Sequence, residues 1–104
     1  MGWFAADSEP VKAHHEVMTA PPDAVFSTEL LGAAAAQEAA KTFEDFVADM
    51  GKPKSRGEAE KIISRLVGPF VDEIGGFKEW DAASKQKAKD GSRKFTDKCL
   101  DELY

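Results

Sequence analysis

The chain has 104 residues, 42% of them hydrophobic and 32% charged, which suits one soluble globular domain and excludes a disordered segment. Its net charge of -5 is uneven: residues 1–50 carry 9 acids against 2 bases, and residues 51–104 carry 10 acids against 12 bases. That balance argues against nucleic acid as the main ligand, because phosphate binding needs clustered Lys and Arg.

Apolar residues recur at three- and four-residue steps, and no stretch alternates apolar with polar over a useful length, so the expected fold is all-α. The spacing predicts a short first helix over about Glu9 to Met18, with Ser8 as N-cap, Pro10 in the first turn and Pro21-Pro22 as the stop. A second, long helix is predicted from about Thr28 to Met50, capped by Ser27 and closed by Gly51 with Pro53 just beyond. Leu31, Ala35, Ala39, Phe43, Phe46 and Met50 form its apolar stripe, while Glu38, Lys41 and Asp45 read as a solvated face. The alanines at 33 to 36 place small side chains on several sides of this helix, which lets neighbouring backbones approach closely.

Ser55 and Glu58 have capping-box spacing and open a third helix through Ala59, Ile62, Ile63, Leu66, Val67, Phe70, Val71 and Ile74, expected to end at Gly75-Gly76. Pro69 lies inside it, so a kink there or a division into two shorter helices is expected. A fourth helix follows Asp81, from about Ala82 to Leu103, with Ala88, Gly91, Phe95, Cys99 and Leu103 turned inward and Asp81–Lys85 and Asp90–Lys94 paired outward. The expected architecture is a small bundle of one short and three long helices in a single domain: an arm and short helix at 1–22, and a three-helix core at 23–104. Because alanine supplies little apolar area, Phe26, Phe43, Phe46, Phe70, Phe77, Trp80 and Phe95 are expected to carry much of the core.

The longest uncharged stretch, Leu30 to Gln37, is 8 residues against the roughly 18 of a membrane span, so no stable membrane insertion is expected. The first ten residues carry Asp7 and Glu9 and no base, which predicts no secretory leader. Cys99 is the sole cysteine, so no internal disulfide can form, and its neighbours Leu100 and Leu103 predict an inert buried thiol. His14 and His15 are the only histidines, and adjacent helical residues diverge by about 100°, which prevents them from chelating one ion together. A metal there would need Glu16 or another chain. No hydrolase elbow, phosphate loop or cofactor motif is present, and Glu44-Asp45 and Asp72-Glu73 splay apart on a helix. The sequence therefore predicts no cofactor and no enzyme; His14, His15 and Glu38 are the residues an enzyme would have to use.

The segment from Thr28 to Glu44, Thr-Glu-Leu-Leu-Gly-Ala-Ala-Ala-Ala-Gln-Glu-Ala-Ala-Lys-Thr-Phe-Glu, resembles the alanine-rich core of fungal CipC-like proteins. Met1-Gly2-Trp3-Phe4, Met50-Gly51-Lys52-Pro53, and Ala59-Glu60-Lys61-Ile62-Ile63 followed by Phe70-Val71-Asp72 agree with the same family, so the similarity runs from residue 1 to about residue 90. Thr28, Phe43 and Pro69 depart from its usual His, Tyr and Ala. The resemblance implies a fungal, intracellular, stress- or antibiotic-induced protein; the family has no assigned catalytic residues to carry over.

The leading expectation is thus a cytoplasmic, non-enzymatic protein that acts by binding or self-association, with Trp3 and Phe4 either mediating a homodimer or folding back on the third and fourth helices of their own chain. The alternative is a carrier holding a small apolar molecule among Phe43, Phe46, Pro69 and Phe70.

Overall fold

A computed structural model describes residues 4–104, which form four helices and no strand: α1 (Glu9–Thr19), α2 (Thr28–Met50), α3 (Arg56–Phe77) and α4 (Ala82–Leu103). Local chemistry sets the starts of α2, α3 and α4, whereas Ser8, the expected cap of α1, holds the N-cap position without a side-chain cap bond. Ser27 accepts from the Leu30 N–H, Ser55 from the Glu58 N–H and Asp81 from the Ser84 N–H, each satisfying one orphan donor of a first turn. The Ser84 N–H bond is also what holds the Asp81 carboxyl below its usual range.

The end of α3 differs from the expected Gly75-Gly76 stop. The helix continues through both glycines to Phe77, and Glu79 makes the reversal at φ 60°. Trp80 N–H bonds Gly75 O at 2.8 Å and Glu79 N–H bonds Gly76 O at 3.1 Å, the paired bonds of a Schellman cap. α3 also runs as one helix through Pro69, so it is not split in two. Pro69 has no N–H to offer the Arg65 carbonyl.

α2 is the hub, packing against α1, α3 and α4. From Leu31 to Ala36 every residue is buried, which no single-faced helix permits; only a helix enclosed on all sides buries six in a row. Its small residues allow that enclosure. A Cβ on Gly32 would lie 2.7 Å from the Ala88 carbonyl oxygen, so the α2 and α4 backbones meet there. α1 belongs to the same core through Ala13 and Val17.

The inward face of α4 corrects the expected one. Ala88, Ser92, Thr96 and Leu100 are buried, whereas Gly91, Phe95 and Cys99 are half-buried and Leu103 is exposed. Ser92 and Thr96 can line the core because their hydroxyls donate to carbonyls of their own helix, Lys89 O at 2.7 Å and Arg93 O at 3.3 Å. The outward pairs also differ: Asp81 caps the helix, and Asp90 accepts from Gln86 at 2.9 Å.

The aromatic residues carry less of the core than expected. Phe43 and Phe26 are buried, Phe46, Phe70, Trp80 and Phe95 are half-buried, and Phe77 is 71% exposed, with the Lys78 ammonium 5.8 Å from its ring centre. Lys78 is fixed there by donating to the carbonyls of Pro22 and Ala24, which leaves the preceding Phe77 on the outside. Alanine fills the middle instead. Polar ties close the end of the bundle where α4 finishes beside the start of α3: Arg56 reaches Glu60, Asp97 and Asp101, and Tyr104 Oη–H donates to Pro53 O at 2.7 Å.

Candidate functional site

Chemistry-bearing side chains converge at a junction of α1, α2 and α3. Glu38 Oε2 accepts from His14 Nε2 at 2.7 Å, and the Phe70 ring stacks on the imidazole with centres 6.1 Å apart and planes at 23°. Val17 and Ala13 seat α1 on α2, which brings His14 over Glu38 although the two are 24 residues apart. Glu38 therefore does not lie on a purely solvated face. No local spacing signals this pair; it is a product of tertiary packing. The carboxylate fixes the imidazole, as in a base-and-orienter arrangement, but the ring's neighbours are Glu38 and an aromatic face, with no nucleophile bonded to it. His15 and Glu16 are exposed. Among the described residues no cluster of three His, Cys, Asp or Glu could hold a metal ion.

A furrow between α2 and α3 runs away from this junction. One part lies over Thr42, Leu66, Pro69 and Phe70 between Glu38 and Glu73; another lies over Phe46, Met50 and Ile62 beside Lys52 and Lys54. The apolar stripe of α2 explains it. Leu31, Ala35, Ala39 and Phe43 are sealed, but the last two turns run past the cover of the other helices, leaving Phe46 half-buried and Met50 75% exposed. The four residues expected to line one pocket are thus divided. Phe43 has no exposed surface and stacks on Phe46 at 6.4 Å, Phe46 lines one part of the furrow, and Pro69 and Phe70 line the other.

At the opposite flank Phe4 packs edge-to-face on Phe95 of its own chain, with centres 6.4 Å apart. Trp3, its expected partner in self-association, lies outside the described residues. Cys99 lines the same recess and is half-buried; burial, with the nearby Glu102 and Glu44 carboxylates, pushes its thiol up to about 11. Such a thiol is protonated and unreactive at neutral pH. A further cleft, which the sequence did not reveal, lies between α3 and α4 over Ile63, Val67 and Ser92.

No helix among the described residues is long and apolar enough to cross a membrane. No curated protein matches this chain, and no solved structure does. A family model described as Virulence factor CipC-like matches residues 13–103, extending beyond residue 90 and leaving out Met1-Gly2-Trp3-Phe4, and the chain belongs to that family.

Proposed function

We propose that this CipC-like chain is a non-enzymatic, cytoplasmic protein of a fungal stress or antibiotic response that acts by self-association, two copies covering each other's α2–α3 furrow. The observation that carries the reading is the apolar strip itself. Phe46, Ile62, Leu66 and Phe70 are each half-covered, Pro69 and Met50 are exposed, and together they line two successive recesses along α2 and α3. Charge favours a second copy as the cover. The chain as a whole is acidic, at -5, and most faces of two copies would repel. Along the furrow, however, Lys52 and Lys54 outnumber Glu58 at one end, and Glu38 and Glu73 outnumber Arg65 at the other. A two-fold axis near Leu66 would set the basic end of each copy on the acidic end of its partner.

The furrow replaces the N-terminal aromatics as the contact of choice because Phe4 already packs on its own Phe95. The pairing of His14 with Glu38 under Phe70 serves in this reading to pin α1 beside the furrow rather than to move protons. Sedimentation velocity of the intact protein and of Leu66→Glu tests it. The wild type should sediment as a dimer at micromolar concentration and Leu66→Glu as a folded monomer. A monomeric wild type, or a Leu66→Glu dimer of undiminished affinity, would overturn the proposal.

A further inference from the structure

The cleft between α3 and α4 is separate from the furrow, on another side of α3. Its floor is Ile63 and Val67, each 4% exposed, with Ser92 beside them. Gly68 opens a notch in one wall: a Cβ built there would meet no atom within 4 Å. The space amounts to about 170 Å³. An apolar cavity of about 150 Å³ is enough to hold benzene, so the notch accommodates a body of one ring or one branched alkyl group.

The rim supplies the polar half of the recognition. Lys89 Nζ is held by Asp72 at 2.9 Å, and Asp90 Oδ1 accepts from Gln86 at 2.9 Å. Arg93 differs, because its guanidinium has neither an ion pair nor a hydrogen bond among the described residues. A guanidinium without a partner among the described residues, at the lip of a notch floored by Ile63 and Val67 and rimmed by polar side chains, matches one carboxylate, which it binds through two parallel N–H bonds. The cleft is open to water on its outer side, so the carboxylate keeps part of its hydration and avoids the large cost of full burial. Asp90, on the same rim, would repel a second anionic group, which limits the ligand to a single charge.

We propose that the α3–α4 cleft binds a small monocarboxylic acid with an aryl or branched alkyl body, the carboxylate on Arg93 and the body over Ile63 and Val67 in the Gly68 notch. The site does not depend on self-association, since it shares no lining residue with the furrow.

Benzoate titrated into the intact ¹⁵N-labelled protein, followed by amide chemical shifts, tests the assignment. Saturable shifts should centre on Ser64, Gly68, Ser92 and Arg93. Arg93→Gln should weaken binding at least tenfold with the fold unchanged. Gly68→Leu should fill the notch and abolish binding; because the Pro69 ring crowds a Cβ on the preceding residue, some loss of melting temperature is expected, and retained helical circular dichroism at the titration temperature separates a blocked site from an unfolded protein. Benzyl alcohol should bind at least tenfold more weakly than benzoate, and benzylamine more weakly still. The proposal is overturned if benzoate gives no saturable shifts at millimolar concentration, if the shifts map to the α2–α3 furrow, if Gly68→Leu binds as the wild type does, or if benzylamine binds as tightly as benzoate.

Discussion

Gly32→Ala isolates the contact on which the bundle is built. On helix propensity alone the change should stabilise, because Ala is favoured over Gly in a helix interior by about 0.8–1.0 kcal/mol. Packing opposes it. The new Cβ would lie 2.7 Å from Ala88 O, 3.3 Å from Ser92 N and 3.4 Å from Gly91 C. All three are main-chain atoms of α4, so no side chain can rotate away. Restoring ordinary contact requires α4 to retreat from α2 by on the order of 0.7 Å, the difference between 2.7 and 3.4 Å. A gap of that size forfeits a quarter to a half of the dispersion attraction along the interface. Overpacking typically costs about 1–3 kcal/mol, and an unyielding backbone places this case near the top of that range. Subtracting the propensity gain leaves a net loss of about 2 kcal/mol, or a fall in melting temperature of about 8–16 °C for a domain of this size. Gly91→Ala, in the middle of α4, supplies the control. Nothing lies within 4 Å of its added Cβ, so the propensity gain of about 1 kcal/mol should appear undiminished. Thermal melts followed by circular dichroism read both variants. Equal or higher stability of Gly32→Ala would refute the close α2–α4 crossing.

Three further outcomes are expected. Phe43→Ala, at a fully buried ring, should lose about 3–5 kcal/mol in denaturant unfolding, and Ile63→Ala about 2–5, whereas half-buried Phe70→Ala should lose clearly less than Phe43→Ala. Cys99, with its thiol pushed up to about 11, should react with iodoacetamide on the order of 100-fold more slowly than free cysteine at neutral pH, and faster as pH rises toward 11 because only then does thiolate form; reaction at the free-cysteine rate would show an exposed, activated thiol. Glu79→Gly should raise stability by roughly 1 kcal/mol by relieving a left-handed φ of 60°, and a loss in thermal melts would mean the side chain, not the turn, matters there.

Much of the fold was legible because helix boundaries are written in local chemistry. Ser27, Ser55 and Asp81 cap the helices the sequence assigned to them, and Gly51 ends α2 at φ 86°. What local spacing could not show was which face each helix turns to its neighbours. On α4 the large residues Phe95 and Cys99 suggested the inward side, but the small polar pair Ser92 and Thr96 occupies it, since only small residues let α4 close on Gly32. Glu38 looked solvated because its partner His14 sits on another helix. The Gly75-Gly76 stop failed because both glycines tolerate helical angles and the reversal came two residues after Phe77, at Glu79. For the site, the sequence placed Phe43, Phe46, Pro69 and Phe70 around one pocket between helices, yet it could not show that Phe43 is sealed, divide the others between parts of a furrow or reveal the α3–α4 cleft, because all of these depend on how three helices cross.

The claim that copies pair antiparallel across the furrow is tested most directly by zero-length carbodiimide coupling of a mixture of ¹⁴N- and ¹⁵N-labelled protein. Lys54 precedes α3 and Glu73 lies near its far end, so within one chain about 17 helical rises of 1.5 Å, roughly 26 Å, separate them. No intramolecular bond can join them. The account predicts Lys54–Glu73 cross-links that carry both isotopes, and that disappear in Leu66→Glu. Their absence from a mixture that cross-links elsewhere between copies would contradict the antiparallel furrow, and a mixture with no intermolecular products at all would contradict self-association itself.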